Sequence, residues 1–278
     1  MFACTLMAWG QVLPPAPPEA APAVALAPVY NYSGQPIMLE AQCADAELND
    51  FGLTCSEDEP CPVYLELAAI EPAGSKVFVA GNFHSETATL WSLLMVSADE
   101  GRSWSEASPR LRGVALDLVQ FPDAATGFVT GRTAGALARD PFLLRTTDGG
   151  MSWKRLTLFE EGAVGLIEGL RFESPTQGTA AVDRGRPGPG RYATLESSNA
   201  GDTWTVLETS AARPRPLAAA AAPDWRISVD VASKSFRIER REGSAWHKAA
   251  AFAVAAGACR PEPRPAAVEP PPPGQLHY

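Results

Sequence analysis

Ser97-Ala98-Asp99-Glu100-Gly101-Arg102-Ser103-Trp104, Thr146-Thr147-Asp148-Gly149-Gly150-Met151-Ser152-Trp153 and Ser197-Ser198-Asn199-Ala200-Gly201-Asp202-Thr203-Trp204 are three copies of one pattern. Each has Ser or Thr first, Asp or Asn third, Gly fifth, Ser or Thr seventh and Trp last. The copies start 49 and 51 residues apart, and a fixed period near fifty marks a repeat architecture. Each copy reads as a tight turn between two strands. The Asp or Asn oxygen accepts hydrogen bonds from backbone amides just ahead of it. The fifth-position Gly takes a positive φ at little cost. The hydroxyls tie the ends of the turn together, and the Trp opens the next strand with a large apolar face. A degenerate fourth copy, residues 239–246, keeps only Gly243 and Trp246, as expected at the end of an array.

The segments around these turns also repeat. Residues 65–70, 116–121 and 166–172 read as first strands, and 76–81, 127–131 and 178–182 as second strands. Residues 90–96, 142–145 and 192–196 read as third strands running into the turns, and each Trp opens a fourth. The last unit supplies 217–221, 225–231, 236–238 and 246–251. Short strands at regular spacing with turn signals between them mean an all-β chain. Four antiparallel strands per fifty residues predict a β-propeller of about four blades, at 62–108, 112–158, 164–210 and 215–252.

The turn resembles the Asp-box, or BNR repeat. Its wording, with the Phe121-to-Gly127 and Phe172-to-Gly178 phrases ahead of it, is most similar to the photosystem II stability/assembly factor-like propellers. Sialidase- and sortilin-type propellers are more distant. The resemblance covers about residues 62–252 and departs in blade count, since those families usually have more than four. It implies that Asp99, Asp148 and Asn199 are structural, and that the ring presents its loops to a partner.

The composition shifts outside the repeats. Residues 1–12 resemble the end of a signal peptide, an apolar run followed by Ala8 and Gly10 at cleavage-site spacing. Residues 13–29 are a Pro/Ala-rich linker and 260–278 a Pro-rich tail. Cys43, Cys55, Cys61 and Cys259 allow three pairings. The expected ones are Cys55–Cys61, closing an acidic loop, and Cys43–Cys259, joining the ends of the propeller domain (30–259). Both point to an exported, periplasmic or extracellular protein. Residues 36–41 contain a strand that would complete the last blade beside 246–251. A homodimer of open arcs is the alternative to a monomeric ring.

The net charge of −9 argues against a nucleic-acid partner, and no apolar run is long enough to span a membrane. The loops opposite the repeated turns, at 82–90, 106–114, 132–141, 157–165, 184–191 and 208–217, read differently. They hold Arg110, Arg112, Arg132, Arg139, Arg184, Arg186, Arg191, Arg213 and Arg215 against six acids, and no Lys. Arginine without lysine points to bidentate recognition of carboxylates or phosphates. The expected binding residues are Arg110, Arg112, Arg132, Arg139, Arg184, Arg186, Arg191 and His84, facing an acidic protein segment or an anionic glycan. No metal or cofactor motif is present and no catalytic residue is assigned. Tyr192 and Glu196 are four residues apart along one strand, ~13 Å, too far for a nucleophile pair. A glycan-cleaving hydrolase and a surface scaffold are the rival readings.

Overall fold

A computed structural model describes residues 28–133, 139–158, 165–215, 217 and 224–261. The signal-like segment, nearly all of the linker and most of the tail lie outside these residues. The chain opens with β1 (Val29–Asn31) and a short helix, α1 (Asp45–Asp50). Blade 1 is β2 (Cys61–Ala73), β3 (Lys76–His84), β4 (Thr89–Ser97) and β5 (Ser103–Glu106). Blade 2 is β6 (Val114–Gln120), β7 (Gly127–Thr133), β8 (Arg139–Thr146) and β9 (Lys154–Thr157). Blade 3 is β10 (Leu166–Phe172), β11 (Gly178–Asp183), β12 (Tyr192–Ser197) and β13 (Thr205–Ser210). Blade 4 is β14 (Trp225–Asp230), β15 (Ser235–Glu242) and β16 (Ala245–Ala253), and β17 (Ala255–Cys259) follows. Each blade is an antiparallel meander, so the chain is an all-β propeller of four blades.

Several sequence boundaries move. The linker ends one residue early, because Val29 already pairs with Ser105 as the first residue of β1. Trp153 and Trp204 precede β9 and β13 rather than opening them, whereas Trp104 lies within β5. Blade 4 shows three strands; of the expected first strand, 217–221, only Leu217 is described and it is not in a strand. The degenerate repeat is a tight hairpin between β15 and β16, with Gly243 at φ 61° and Glu239 inside the strand.

Three apolar clusters join the blades in the order 4–1–2–3. Ile238, Ala250 and Phe252 of blade 4 pack with Val63, Leu65 and Val79 of blade 1. On the other side of blade 1, Phe78 and Leu94 meet Leu116, Val129 and Phe142 of blade 2. Phe128 and Leu143 then meet Phe172, Val182 and Leu195 of blade 3. Alternating side chains on every sheet make this two-sided packing available to the middle blades. None of these clusters joins blade 3 to blade 4.

Polar links repeat the same order. The Lys76 ammonium donates to Gly149 O at 2.8 Å, Arg145 to Ala200 O at 2.9 Å, and Arg240 pairs with Glu100 at 2.9 Å. In each case a cation from one blade reaches the fourth residue of the next blade's repeated turn.

The N-terminal segment stitches blades 1 and 4. β1 extends the edge of β5. The Ile37 amide donates to Ala251 O, the Ala253 amide to Ile37 O, and the Ala41 amide to Ala256 O. Residues 37–41 thus run parallel to β16 and then β17 through two isolated bridges, Ile37 with Phe252 and Ala41 with Gly257. β17 crosses to pair with β2, placing Cys259 opposite Cys61. Cys43 is bonded to Cys259 and Cys55 to Cys61. Cys61 opens β2 and Cys259 ends β17.

Candidate functional site

The repeated turns carry the most ordered polar geometry, and all of it is inward. The Ser97 hydroxyl donates to Asp99 Oδ1 and accepts from the Gly101 amide, both at 2.9 Å. Asp99 then accepts from the Ser103 amide and hydroxyl at 2.8 and 2.6 Å. Thr146, Asp148, Gly150 and Ser152 reproduce these bonds. Ser197, Asn199, Gly201 and Thr203 do so with one reversal, the Asn199 side-chain amide donating to the Thr203 hydroxyl at 2.9 Å. The fourth and fifth residues of each turn are both left-handed: Glu100 and Gly101, Gly149 and Gly150, Ala200 and Gly201. The Ser152 hydroxyl and amide hold the Asp148 carboxyl far below the ordinary carboxylate range. Burial opposes the same effect at Asp99, but the Ser103 and Ser97 hydrogen bonds prevail and its pKa is also lowered. These acids are engaged by the amides and hydroxyls of their own turns.

The opposite face carries a cleft of about 840 Å³ at the junction of blades 1 and 2. Glu66, His84, Ser85, Thr87, Ala88 and Thr89 form its blade 1 wall, Arg132 and Thr133 its blade 2 wall. Arg112 and Gly113, between the blades, and Asp50 and Phe51, at the end of α1, complete it. α1 is held there by capping and packing. Glu47 accepts from the Ala44 amide at 2.9 Å and from Trp91 Nε1 at 3.2 Å, while Phe51 lies edge-on to Trp91 at 5.5 Å. The Ser85 hydroxyl accepts from the Thr87 and Ala88 amides and fixes the β3–β4 turn.

Three of the eight expected binding residues, His84, Arg112 and Arg132, meet in this cleft. His84 and Arg132 are strand residues rather than loop residues. Arg112 is paired with Asp50, and Arg132 with Asp117 at 3.1 Å. Arg110 stands apart, forked on Glu106 at 2.7 Å with its guanidinium over the Phe83 ring. Arg191 pairs with Asp183 at 2.9 Å, and Arg186 donates to Gly190 O, both on blade 3. Burial raises the Asp183 pKa, but the Arg191 hydrogen bond and the Gly185 amide outweigh it and the net shift is downward. Arg184 Nε is buried without a hydrogen-bond partner among the described residues. The Arg139 backbone pairs with Thr133 in the β7–β8 ladder; its side chain lies outside the description.

The positive excess expected of this face is therefore largely cancelled in place. Asp50, Asp117 and Asp183 lie outside the predicted loops and were not counted against the arginines. Sequence reasoning also missed Asp50, Phe51 and Glu66 as cleft residues. The signal for Glu66 was present, a lone charge alternating with Leu65 and Leu67 in a first strand. Among the described residues no three His, Cys, Asp or Glu side chains are grouped to hold a metal, and no helix is long and apolar enough to cross a membrane.

No family model matches the chain, and no curated protein matches it in sequence. Among solved structures the chain is similar to YCF48 bound to a D1 peptide, at 16% identity over 68% of this chain and 56% of that one, TM-score 0.38. It is similar to a PL25 polysaccharide lyase, an ulvan lyase, at 10% identity over 70% and 52%, TM-score 0.40. A GH74 xyloglucanase from Xanthomonas campestris is 17% identical over 61% and 26%, TM-score 0.35. The chain spans between about a quarter and just over half of these proteins' own lengths. They include a peptide-bound factor and polysaccharide-acting enzymes.

Proposed function

We propose that this protein is an exported, non-catalytic propeller of the Asp-box type that binds an acidic partner, a protein segment or an anionic glycan, through the cleft between blades 1 and 2. The observation that carries this reading is the pair of half-exposed guanidiniums in one open cleft. The Arg112 and Arg132 side chains keep 47% and 30% of their surface in solvent. An exposed ion pair contributes only about 0–1 kcal/mol, so each guanidinium is free to exchange Asp50 or Asp117 for a ligand anion. Export is supported by the two disulfides.

Affinity capture from the native envelope tests the reading, with wild type and an Arg112→Ala/Arg132→Ala variant of unchanged melting temperature. Partner held by wild type and lost by the variant is the expected result. Equal capture by both would refute it. A second reading, glycan cleavage, draws on Asp50 and Glu66 lining the same cleft. It predicts turnover on a chromogenic glycoside panel, abolished by Glu66→Gln.

A further inference from the structure

We infer that the occupant of the cleft is a carboxylated oligosaccharide of the uronate type rather than an acidic peptide. This rests on the proposed function and chooses between the two partners it names. The choice is made by groups in the cleft that lack partners, and these are acceptors, not cations.

Both arginines already hold carboxylates. The Glu66 side chain, exposed on β2, makes no hydrogen bond or ion pair among the described residues. His84 supplies a second acceptor. Its Nδ1 lies 3.1 Å from Ser85 O, and because a carbonyl only accepts, the neutral ring carries its proton on Nδ1. Nε2 is left as a lone pair. In the β2–β3 ladder His84 stands opposite Tyr64, two residues from Glu66 on one sheet face. The Thr87, Thr89 and Thr133 hydroxyls complete the polar lining.

A ligand that fits must therefore bring donors to Glu66 and His84 Nε2 as well as an anion to Arg112 and Arg132. A run of acidic residues brings the anions but sets carboxylates against the unpartnered Glu66, a like-charge juxtaposition. A uronate oligomer brings one carboxylate per sugar with hydroxyl donors beside it. Its hydroxyls both donate to Glu66 and accept from the threonines. The cleft volume of about 840 Å³ falls in the range of small-ligand sites.

Titration calorimetry on the full chain tests this with defined probes. These are tetramers of galacturonate, of mannuronate and of hyaluronan, neutral cellotetraose, and hexaglutamate. The proteins are wild type, Glu66→Ala and Arg132→Ala, each checked for an unchanged melting temperature. The expected result is binding of at least one uronate tetramer, with cellotetraose weaker by about tenfold or more. Glu66→Ala should weaken the uronate by about tenfold, the loss of a hydrogen bond to a charged acceptor. Hexaglutamate bound in preference to every uronate, and tightened by Glu66→Ala, would overturn the inference and leave the acidic-partner reading standing. No probe bound by wild type would overturn the inference, and the proposed function would then stand or fall on the envelope capture.

Discussion

The first residue of each repeated turn holds the turn shut. Ser97, Thr146 and Ser197 are buried, and each hydroxyl accepts the amide of a buried Gly. Ser97→Ala, Thr146→Val and Ser197→Ala each leave that amide unsatisfied. Each should lower stability by about 1–3 kcal/mol in denaturant titration, with little change in slope. The third residue makes the turns acid-sensitive. Asp99 and Asp148 have folded pKa values below the ordinary Asp value, about 3.9 in the unfolded chain. Their contribution is present above roughly pH 4 and is lost as the pH falls through the lowered folded values. Asn199 makes the same turn without titrating. Asp99→Asn/Asp148→Asn should therefore stay folded and flatten the acid limb of melting temperature against pH; an unchanged limb would place the acid sensitivity elsewhere. The turns were legible in the sequence because their residues act locally. Their left-handed fourth position was not, since Glu100 and Ala200 have side chains that give no hint of it.

At the scale of the element, the strand ends that join blades follow the same fifty-residue period. Gln120 accepts from the Phe172 amide at 2.8 Å and donates to Phe172 O at 3.2 Å. Glu71, one period earlier, accepts from the Phe121 amide at 3.4 Å but as a carboxylate has nothing to donate. Burial raises its pKa. Glu71→Gln restores a donor and removes a half-buried charge, and should raise stability at pH 7 by about 1 kcal/mol in thermal or chemical unfolding. A loss of stability would contradict the equivalence of the two positions. Trp104 is buried to 1% exposure, so Trp104→Ala should cost about 3–5 kcal/mol. Trp153 and Trp204, partly buried against their clusters, should cost less. The strands were legible because period-two alternation and the turns agree. α1 was not: six residues are too few for a helical period to emerge. Its placement depends on contacts between Glu47 and Trp91, 44 residues apart. Asp50 and Phe51 were lost to the sequence reading with it.

At the scale of the molecule, the ends hold the array. Blade 4 reaches blade 1 through β17, through residues 37–41 and through Cys43–Cys259, which spans 216 residues. Cys43→Ser/Cys259→Ser should lower stability by about 5 kcal/mol on the chain-entropy account, and the six-residue Cys55–Cys61 loop by only about 2. Calorimetry of the two variants in parallel checks the order. The binding face was half legible. Its arginines stand in the sequence, but their partners Asp50, Asp117 and Asp183 lie on other elements, and only the fold brings them together. The central claim, that the cleft between blades 1 and 2 is the working surface, is tested most directly by hydrogen–deuterium exchange of the whole chain, free and saturated with the material it captures from the envelope. The account predicts new protection confined to residues 84–89, 112–113 and 132–133. Protection at the repeated turns, 97–103, 146–152 and 197–203, with none at the cleft, would contradict it.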